Sequence, residues 1–261
     1  MKHWPEYVIE GAALGAFMVS AGSFAILLLR VANPIEARAL MGVAMGLTAI
    51  SIIKSPFGQR SGAHMNPAVT LTFYRLGKIA SRDAIAYVAA QFIGGALGLF
   101  ALSLIARDAL RSVHFVATTP GEGGALIAFA AECLISFVLM SVVLRVSNSP
   151  TLARHTPLFA GALVALFILF EAPYSGMSMN PARTFASALA AGDWNAIWIY
   201  LTAPLLGMLT AAAIYRGRVY CAKLNHYGNA RCIFRCAFAE LTPDSERRSP
   251  STSRTAPTAV L

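Results

Sequence analysis

Two nearly identical stretches, SGAHMNPAVT at Ser61–Thr70 and SGMSMNPART at Ser175–Thr184, decide how this chain folds. Each stretch places an Asn-Pro pair where a hydrophobic run has just ended. The similarity extends beyond them, because YVAAQFIGG from Tyr87 resembles YLTAPLLGM from Tyr200, and each follows its own Asn-Pro pair. A repeat of this kind defines the architecture before any single element is assigned. The chain therefore consists of two copies of one pattern.

The composition is that of a membrane protein. The 261 residues are 57% hydrophobic and only 13% charged, against about 45–50% and about 25% in ordinary soluble domains. Apolar runs cover residues 7–29, 37–53, 84–106, 124–144, 156–170 and 196–215. As helices, all but the second and fifth are long enough to cross a hydrocarbon core of about 30 Å. A cleaved secretory signal is a poor interpretation of the first run, which is too long, contains Glu10 and lacks a convincing cleavage site.

The two copies, about 6–106 and about 124–216, are predicted to be inverted in the bilayer. Each holds an odd number of spans, so the second copy must enter from the opposite side. If both termini face the cytoplasm, most Lys and Arg residues lie on that side, and the other side holds Arg30, Arg38, Arg107 and Arg111, with Arg183 set aside. This positive-inside bias predicts a multi-pass protein of the cell membrane with both termini cytoplasmic. The net charge of +9 needs no nucleic acid partner to explain it.

The segments after the two Asn residues are predicted to be re-entrant half-helices. Pro is favoured at the first helical position, and Gly77 and Gly192 suit left-handed helix ends. Ten or eleven helical residues span about 15 Å, half of the core, so the two helix starts should meet near the midplane. The strand-like backbone before each Asn must border a cavity or be packed away. Interrupted segments of this kind also indicate a transport site.

An Asn at a helix start has a specific use. Its side-chain carbonyl can accept an N–H of the first turn, which fixes the amide and leaves its NH₂ as a donor. Two such donors on positively polarised helix ends would orient a neutral solute and repel a cation. Carbonyls of the strand-like runs would supply acceptors, at Gly62, Ala63 and His64 and at Gly176, Met177 and Ser178. The alternative is that Asn66 and Asn180 are only helix caps in a packed interior.

The paired NPAV and NPAR, set in two inverted halves, closely resemble the aquaporins of the major intrinsic protein family. The resemblance covers about Glu6 to Arg216 and implies an all-α membrane protein, with six transmembrane helices plus two re-entrant half-helices. It also implies one pore per subunit, a homotetramer, and a channel domain at about 1–220. The pore centre would be formed by Asn66, Pro67, Ala68, Asn180, Pro181 and Ala182, with Arg183 in the outer constriction.

Two carboxylates, Glu10 and Glu132, lie within the first and fourth runs. An ionisable group inside a span is a functional hypothesis by default. The resemblance implies that these glutamates hold the re-entrant loops by accepting their backbone N–H groups, and the alternative is a proton relay. His64 is interpreted as a loop-shaping or pore-edge residue rather than a metal ligand.

The sequence indicates the class of transported solute less sharply than it indicates the fold. Counting from the motifs, the resemblance implies an outer constriction of Met45 (or Gly46), Ile168, Met177 and Arg183. Strict water channels usually place an aromatic residue and a His there, and this chain has neither. Water is the primary predicted solute, with glycerol, urea, ammonia, hydrogen peroxide and uncharged metalloid acids as further ones. A glycerol- or metalloid-type facilitator is the alternative.

Two other function classes are weighed against a passive channel that excludes ions and protons. A secondary transporter can also use inverted repeats and broken helices, but no span carries the additional charged cluster that coupling needs. A membrane enzyme is disfavoured because neither Glu is paired with a nucleophile or metal motif. We therefore expect no catalytic residue, no cofactor and no metal in the channel itself.

The end of the chain departs from the family pattern. A segment at 221–236 holds Cys221, His226, Cys232 and Cys236, and thiolate and imidazole groups are what tetrahedral zinc requires. The spacing matches no strong zinc-finger pattern, so reduced, unliganded thiols in a cytoplasmic segment are the favoured interpretation. The tail at 237–261 is rich in Ser, Thr, Pro and Arg and is predicted to be disordered.

Overall fold

A computed structural model describes residues 3–225 and 232–237 of the chain, and within these ranges it contains α-helices but no strand. The helices are α1 (Trp4–Leu28), α2 (Pro34–Lys54), α3 (Pro56–Ser61), α4 (Pro67–Arg75), α5 (Ser81–Ser112), α6 (Gly124–Ser147), α7 (Thr156–Phe170), α8 (Ala172–Ser175), α9 (Pro181–Ala191) and α10 (Ile197–Ile214). His226 and residues 238–261, and with them nearly all of the predicted disordered tail, lie outside the described residues.

Six helices in the described ranges are long and apolar enough to cross a membrane, namely α1, α2, α5, α6, α7 and α10. They coincide with the six apolar runs, so the prediction of a multi-pass all-α protein is confirmed. The short fifth run reaches membrane length because a 3₁₀ turn at Ala153–His155 precedes α7. The third run ends at Ala106, where α5 has a non-helical residue (φ −132°, ψ 36°) before it continues to Ser112.

Equivalent helices of the two halves make equivalent contacts. In the first half α1 packs along α5, and in the second half α6 packs along α10, whereas α2 and α7 pack against each other and join the halves. Each half also contains one short helix (α3 or α8) followed by one half-helix (α4 or α9). The half-helices have 9 and 11 residues, or about 14 and 17 Å at 1.5 Å per residue. Both stop at a left-handed glycine, Gly77 (φ 71°) and Gly192 (φ 70°).

Small residues allow the long helices to approach closely. A Cβ added to Gly15 of α1 would come within 2.8 Å of the Gly94 carbonyl oxygen on α5. A Cβ on Gly46 of α2 would come within 2.6 Å of the Gly161 oxygen on α7. Without a hydrophobic driving force between helices in lipid, such backbone contact is what binds them together. The closely packed long helices therefore form the scaffold that supports the two re-entrant segments.

Candidate functional site

The two half-helices begin at capped Asn residues. The Asn66 side-chain oxygen accepts the N–H of Ala68 at 2.8 Å. The Asn180 side-chain oxygen accepts the N–H of Ala182 at 3.1 Å and that of Arg183 at 3.3 Å. Because the oxygen of each amide faces its own helix, the NH₂ group must face away from it. Each amide therefore presents its donors beyond the helix tip.

The two helix tips are tied to each other by those NH₂ groups. Asn66 Nδ2 donates to the Met179 carbonyl at 2.7 Å, and Asn180 Nδ2 donates to the Met65 carbonyl at 2.7 Å. The sequence predicted that this NH₂ group is a donor facing the cavity, and in the structure one N–H of each amide binds the opposite re-entrant loop. A primary amide has two N–H groups, so one remains on each Asn. The tips of α4 and α9 meet as predicted.

The backbone before each Asn is not the extended strand that the sequence suggested. Ala63, Met65, Met177 and Met179 adopt left-handed conformations with φ of 53°, 48°, 51° and 54°. For a residue with a Cβ this conformation costs roughly 1–2 kcal/mol. It persists only where surrounding contacts hold it in place. Buried carboxylates supply those contacts in both halves.

Glu10 holds the first loop and is itself fully buried. Its Oε1 accepts from Ser61 Oγ at 2.8 Å and from the His64 N–H at 3.0 Å. Its Oε2 accepts from the Met65 N–H at 2.7 Å and from Gln91 Nε2 at 2.9 Å. A buried carboxylate is tolerated when its oxygens are fully hydrogen-bonded. Glu10 thus acts as an acceptor for the loop.

Glu132 repeats this arrangement in the second half, where it is also fully buried. It accepts from Ser175 Oγ at 2.8 Å, the Ser178 N–H at 2.6 Å and the Met179 N–H at 2.7 Å. Tyr200 closes the loop by donating to the Ser175 carbonyl at 2.6 Å. The same three loop positions are bound in both halves. This geometry favours loop support over the proton relay that the sequence left open.

A cavity of about 420 Å³ passes both helix tips. Most predicted site residues line it: Met45, Ala63, His64, Asn66, Ile168, Gly176, Met177, Ser178, Asn180 and Arg183. Gly62 does not, because its carbonyl accepts the N–H of Leu224 at 3.1 Å, which corrects its prediction as a pore acceptor. The predicted centre residues Pro67, Ala68, Pro181 and Ala182 are also absent from the wall; they are buried in the first turns of α4 and α9.

Met45 and Gly46, the two alternatives for the constriction, lie on different faces of α2. Met45 is 2% exposed and lines the cavity, whereas Gly46 lies in the close crossing with α7. Met45, Ile168 and Met177 are apolar, and Arg183 brings a cation to the same wall. Arg183 Nη1 is buried and has no hydrogen-bond partner among the described residues. That N–H group is available to a molecule in the cavity.

Sequence reasoning missed many residues of the wall, among them Arg38 and Leu224. Arg38 was counted only as a charge outside the membrane, yet its Nε is buried and lacks a partner in the described structure. The signal was present, because Arg38 precedes Met45 by two helical turns and therefore lies on the same face of α2. Leu224 follows the last span by ten residues, and no local pattern connects it with the cavity.

The segment that carries Leu224 packs against the first re-entrant loop. His64 Nε2 lies 2.7 Å from the Ala222 carbonyl, and its ring stacks on Phe234 with centroids 5.4 Å apart. A carbonyl only accepts, so Nε2 of His64 carries the proton. His64 thus lies in the first re-entrant loop at the edge of the cavity. Hydrogen bonding with Cys232 and Cys236, together with burial, raises the pKa of the Cys221 thiol in this segment.

Comparisons with known proteins agree with this geometry. A sequence model of the family described as Major intrinsic protein matches residues 2–215. Aquaporin NIP1-1 of Arabidopsis thaliana is 38% identical over 184 residues, which cover 67% of this chain and 62% of that protein. Aquaporin NIP6-1 of Arabidopsis thaliana is 38% identical over 182 residues, which cover 69% and 58%. The chain thus spans about three fifths of the length of these curated relatives.

A solved structure has the same fold. The X-ray structure of the aquaglyceroporin from Plasmodium falciparum superposes with a TM-score of 0.66 at 20% identity, covering 82% of this chain and 95% of that one. At this identity the likeness speaks for the fold alone. The sequence match, however, covers all six spans and both half-helices. Two inverted halves, two capped Asn-Pro helix starts and this match lead to one conclusion: the chain belongs to the major intrinsic protein family.

Proposed function

We propose that the chain forms a passive transmembrane channel for water and small neutral solutes that excludes ions and protons. The observation that carries this proposal is the pair of Asn amides at the cavity wall, each with one N–H bound across the tips. The second N–H of Asn66 and of Asn180 is then a donor for a passing oxygen atom. Both amides sit at helix N-termini, which carry roughly half a positive charge. A neutral solute gains hydrogen bonds there, whereas a cation meets a barrier.

Proton exclusion follows from the same two donors. A water molecule that accepts from both Asn residues uses its lone pairs on them, so it cannot also accept a proton from the next water. The converging positive helix ends add an electrostatic barrier for hydronium at the same point. We expect an imposed pH gradient across proteoliposomes to decay no faster than in protein-free vesicles.

Water is the primary solute in this proposal, and a specific observation supports a second candidate class. The wall residues Met45, Ile168 and Met177 are apolar, and Arg183 is the cationic member of that constriction. Such a ring fits glycerol, urea, ammonia, hydrogen peroxide or an uncharged metalloid acid better than a narrow polar ring would. The matched curated relatives are named aquaporins, and the superposed structure is named an aquaglyceroporin. These names are compatible with both solute classes.

The proposed oligomeric state, membrane location and orientation are as follows. We assign residues 1–220 as the channel domain of a homotetramer in the cell membrane, with the face that carries both chain ends turned to the cytoplasm. The positive-inside bias supports this orientation. Glu10 accepts four hydrogen bonds and Glu132 accepts three, which supports structural roles for both carboxylates and a channel without a catalytic step.

Stopped-flow light scattering on proteoliposomes tests the channel directly. We expect osmotic shrinkage several times faster than in empty vesicles, with a flux that stays proportional to the gradient. A secondary transporter would instead saturate and depend on an ion or proton gradient. Shrinkage no faster than in empty vesicles, for folded protein measured both with and without divalent metal ions, contradicts a water channel. Glycerol and urea gradients in the same assay rank the solutes.

Replacing Met45 with Phe is expected to narrow the cavity at the proposed constriction. Met45 is 2% exposed, so the surrounding protein leaves no free space for the larger Phe side chain. The Phe ring must therefore project into the cavity. We expect glycerol and urea permeability to fall several-fold more than water permeability. The matched control is Leu47→Phe on the same helix, where the side chain is 57% exposed on the outer surface. Equal losses for all solutes in Met45→Phe would remove this residue from the constriction.

A further inference from the structure

Residues 219–225 and 232–237 form a segment, here called the plug, that folds back onto the face of the bundle where α1 begins. The plug is well buried although it follows the last span: Cys221, Lys223 and Leu224 are 3%, 2% and 5% exposed. It is joined to the turn between α4 and α5 by a hydrogen bond from the Arg235 N–H to the Lys78 carbonyl at 3.1 Å. The plug is therefore a folded part of the molecule.

The plug is seated on the first re-entrant loop, where it contacts His64, a residue that also lines the cavity. The Leu224 N–H donates to the Gly62 carbonyl at 3.1 Å, and His64 Nε2 donates to the Ala222 carbonyl at 2.7 Å. The His64 ring lies between two phenyl rings, Phe73 at 5.3 Å and Phe234 at 5.4 Å between centroids. Leu224 itself contributes to the cavity wall. The apolar side chain of Leu224 thus stands where the cavity reaches the plug.

A hydrogen-bonded chain connects this seat to the pore support. Glu10 accepts from Gln91 Nε2 at 2.9 Å, and Gln91 Nε2 also donates to Thr70 Oγ1 at 3.1 Å. Thr70 Oγ1 lies 3.0 Å from His64 Nδ1. Since Nε2 of the neutral ring carries the proton, Nδ1 accepts the Thr70 hydroxyl hydrogen. This chain of hydrogen bonds holds the His64 ring in a fixed orientation, and the plug binds to that oriented ring.

Three cysteines meet inside the plug. Cys221 Sγ lies 3.5 Å from Cys232 Sγ, and the sulfurs of Cys221, Cys232 and Cys236 all lie within 4.8 Å of one another. In tetrahedral zinc sites the Zn–S distance is about 2.3 Å, which places two sulfur ligands about 3.8 Å apart. The observed sulfur–sulfur distances, 3.5 Å for one pair and at most 4.8 Å for the others, are compatible with that value. His226, which the sequence also suggested as a ligand, lies outside the described residues, so the candidate ligands are the three sulfurs.

We propose that Cys221, Cys232 and Cys236 bind a thiophilic divalent cation such as Zn²⁺, and that this ion fastens the plug over the cavity mouth and closes the channel. The metal site is independent of any flux, whereas the closure rests on the proposed channel function. The ion would join the two chain segments on either side of residues 226–231 into one body. Thiolate–metal bonds contribute directly to the folding of small units of this kind. Loss of the ion would leave the plug on its hydrogen bonds and ring contacts alone.

Metal content tests the site without reference to transport. Protein purified under reducing conditions, then equilibrated with Zn²⁺ and desalted, is expected to hold about one zinc per chain by mass spectrometry. Co²⁺ in place of zinc should give intense thiolate charge-transfer bands. Cys232→Ser should lose both signals, and Cys133→Ser, which alters a half-buried cysteine of α6, should keep both. Absence of bound metal in the parent protein, its retention in Cys232→Ser, or a Cys221–Cys232 disulfide in its place overturns the site.

Water permeability tests the closure. We expect chelation of zinc to raise osmotic permeability of proteoliposomes at least several-fold, and re-addition of zinc to reverse it. Cys232→Ser should be permeable and insensitive to both treatments. Phe234→Ala, which removes the ring stacked on His64, should stay permeable while still binding Co²⁺. If zinc binds but permeability never depends on it, the closure is wrong and the metal site stands. If no variant conducts in any state, the channel proposal fails, and the Co²⁺ spectrum still decides the site.

Discussion

Replacing Glu132 with Ala is expected to abolish the folded channel. The change leaves three buried donors without an acceptor: Ser175 Oγ and the N–H groups of Ser178 and Met179. Each orphaned donor costs about 1–3 kcal/mol, and an unsatisfied group is no cheaper inside a bilayer. The same change frees Met179, whose left-handed backbone is strained. A loss of several kcal/mol is a large fraction of the roughly 5–15 kcal/mol that stabilises a typical protein.

Detergent-solubilised protein gives the measurement. We expect Glu132→Ala to aggregate on size-exclusion chromatography or to unfold at a much lower temperature than the parent. Glu122→Ala, at an exposed site before α6, is the matched control and should behave like the parent. Glu132→Gln keeps one acceptor oxygen but turns an NH₂ toward a donor, so an intermediate loss is expected. A stable Glu132→Ala channel with parental water permeability would contradict the loop-support role.

Measurements of stability and of proton leak also distinguish the two roles that the sequence allowed for the glutamates, namely loop support and a proton relay. A proton relay needs a carboxyl that can exchange protons with the pathway, and it predicts that Glu10→Gln remains folded while proton movement changes. Loop support predicts reduced stability and no change in proton leak. Glu10 accepts four hydrogen bonds, two on each oxygen. No lone pair on that carboxylate is left in a favourable position for a transferred proton.

Local signals explain why so much of the fold could be predicted from the sequence. Pro67 and Pro181 follow capping Asn residues, and Gly77 and Gly192 stop the half-helices with positive φ. Each of these features depends on a few neighbouring residues and on intrinsic backbone preferences. Four of the six spans follow from hydrophobic length alone, and the repeat adds the two shorter ones. The repeat then determined the inversion, because an odd number of spans admits no other arrangement.

What escaped prediction depends on contacts between distant parts of the chain. Met65 and Met179 are left-handed although methionine has no preference for that region, because buried carboxylates bind their N–H groups and Asn amides bind their carbonyls. The choice between Met45 and Gly46 required the face that α2 turns to α7. Residues 62–64 contact Ala222, Leu224 and Phe234 of the plug, and no periodicity in the sequence indicates such a pairing.

Replacing Arg183 with Val is expected to weaken the exclusion of cations. Arg183 lines the cavity with a buried guanidinium N–H that has no partner in the described part of the chain. Two unit charges 4 Å apart at an effective dielectric constant of about 20 interact by about 4 kcal/mol, so one fixed arginine forms a substantial part of the barrier. The helix ends at Asn66 and Asn180 and the second arginine, Arg38, remain in the variant. We therefore expect a partial effect, about a tenfold rise in cation leak.

Proteoliposomes loaded with K⁺ and a voltage-sensitive dye measure that leak, after zinc has been removed so that the plug cannot mask it. Arg111→Val is the control, because this side chain is 61% exposed and lies beside Asp108 on the surface. Arg183→Lys keeps the charge but loses the forked N–H geometry. It should therefore exclude cations like the parent while its preference among water, glycerol and urea shifts. If Arg183→Val excludes K⁺ as well as the parent does, the barrier resides in the two helix ends, and the arginine serves only to orient neutral solutes through its free N–H.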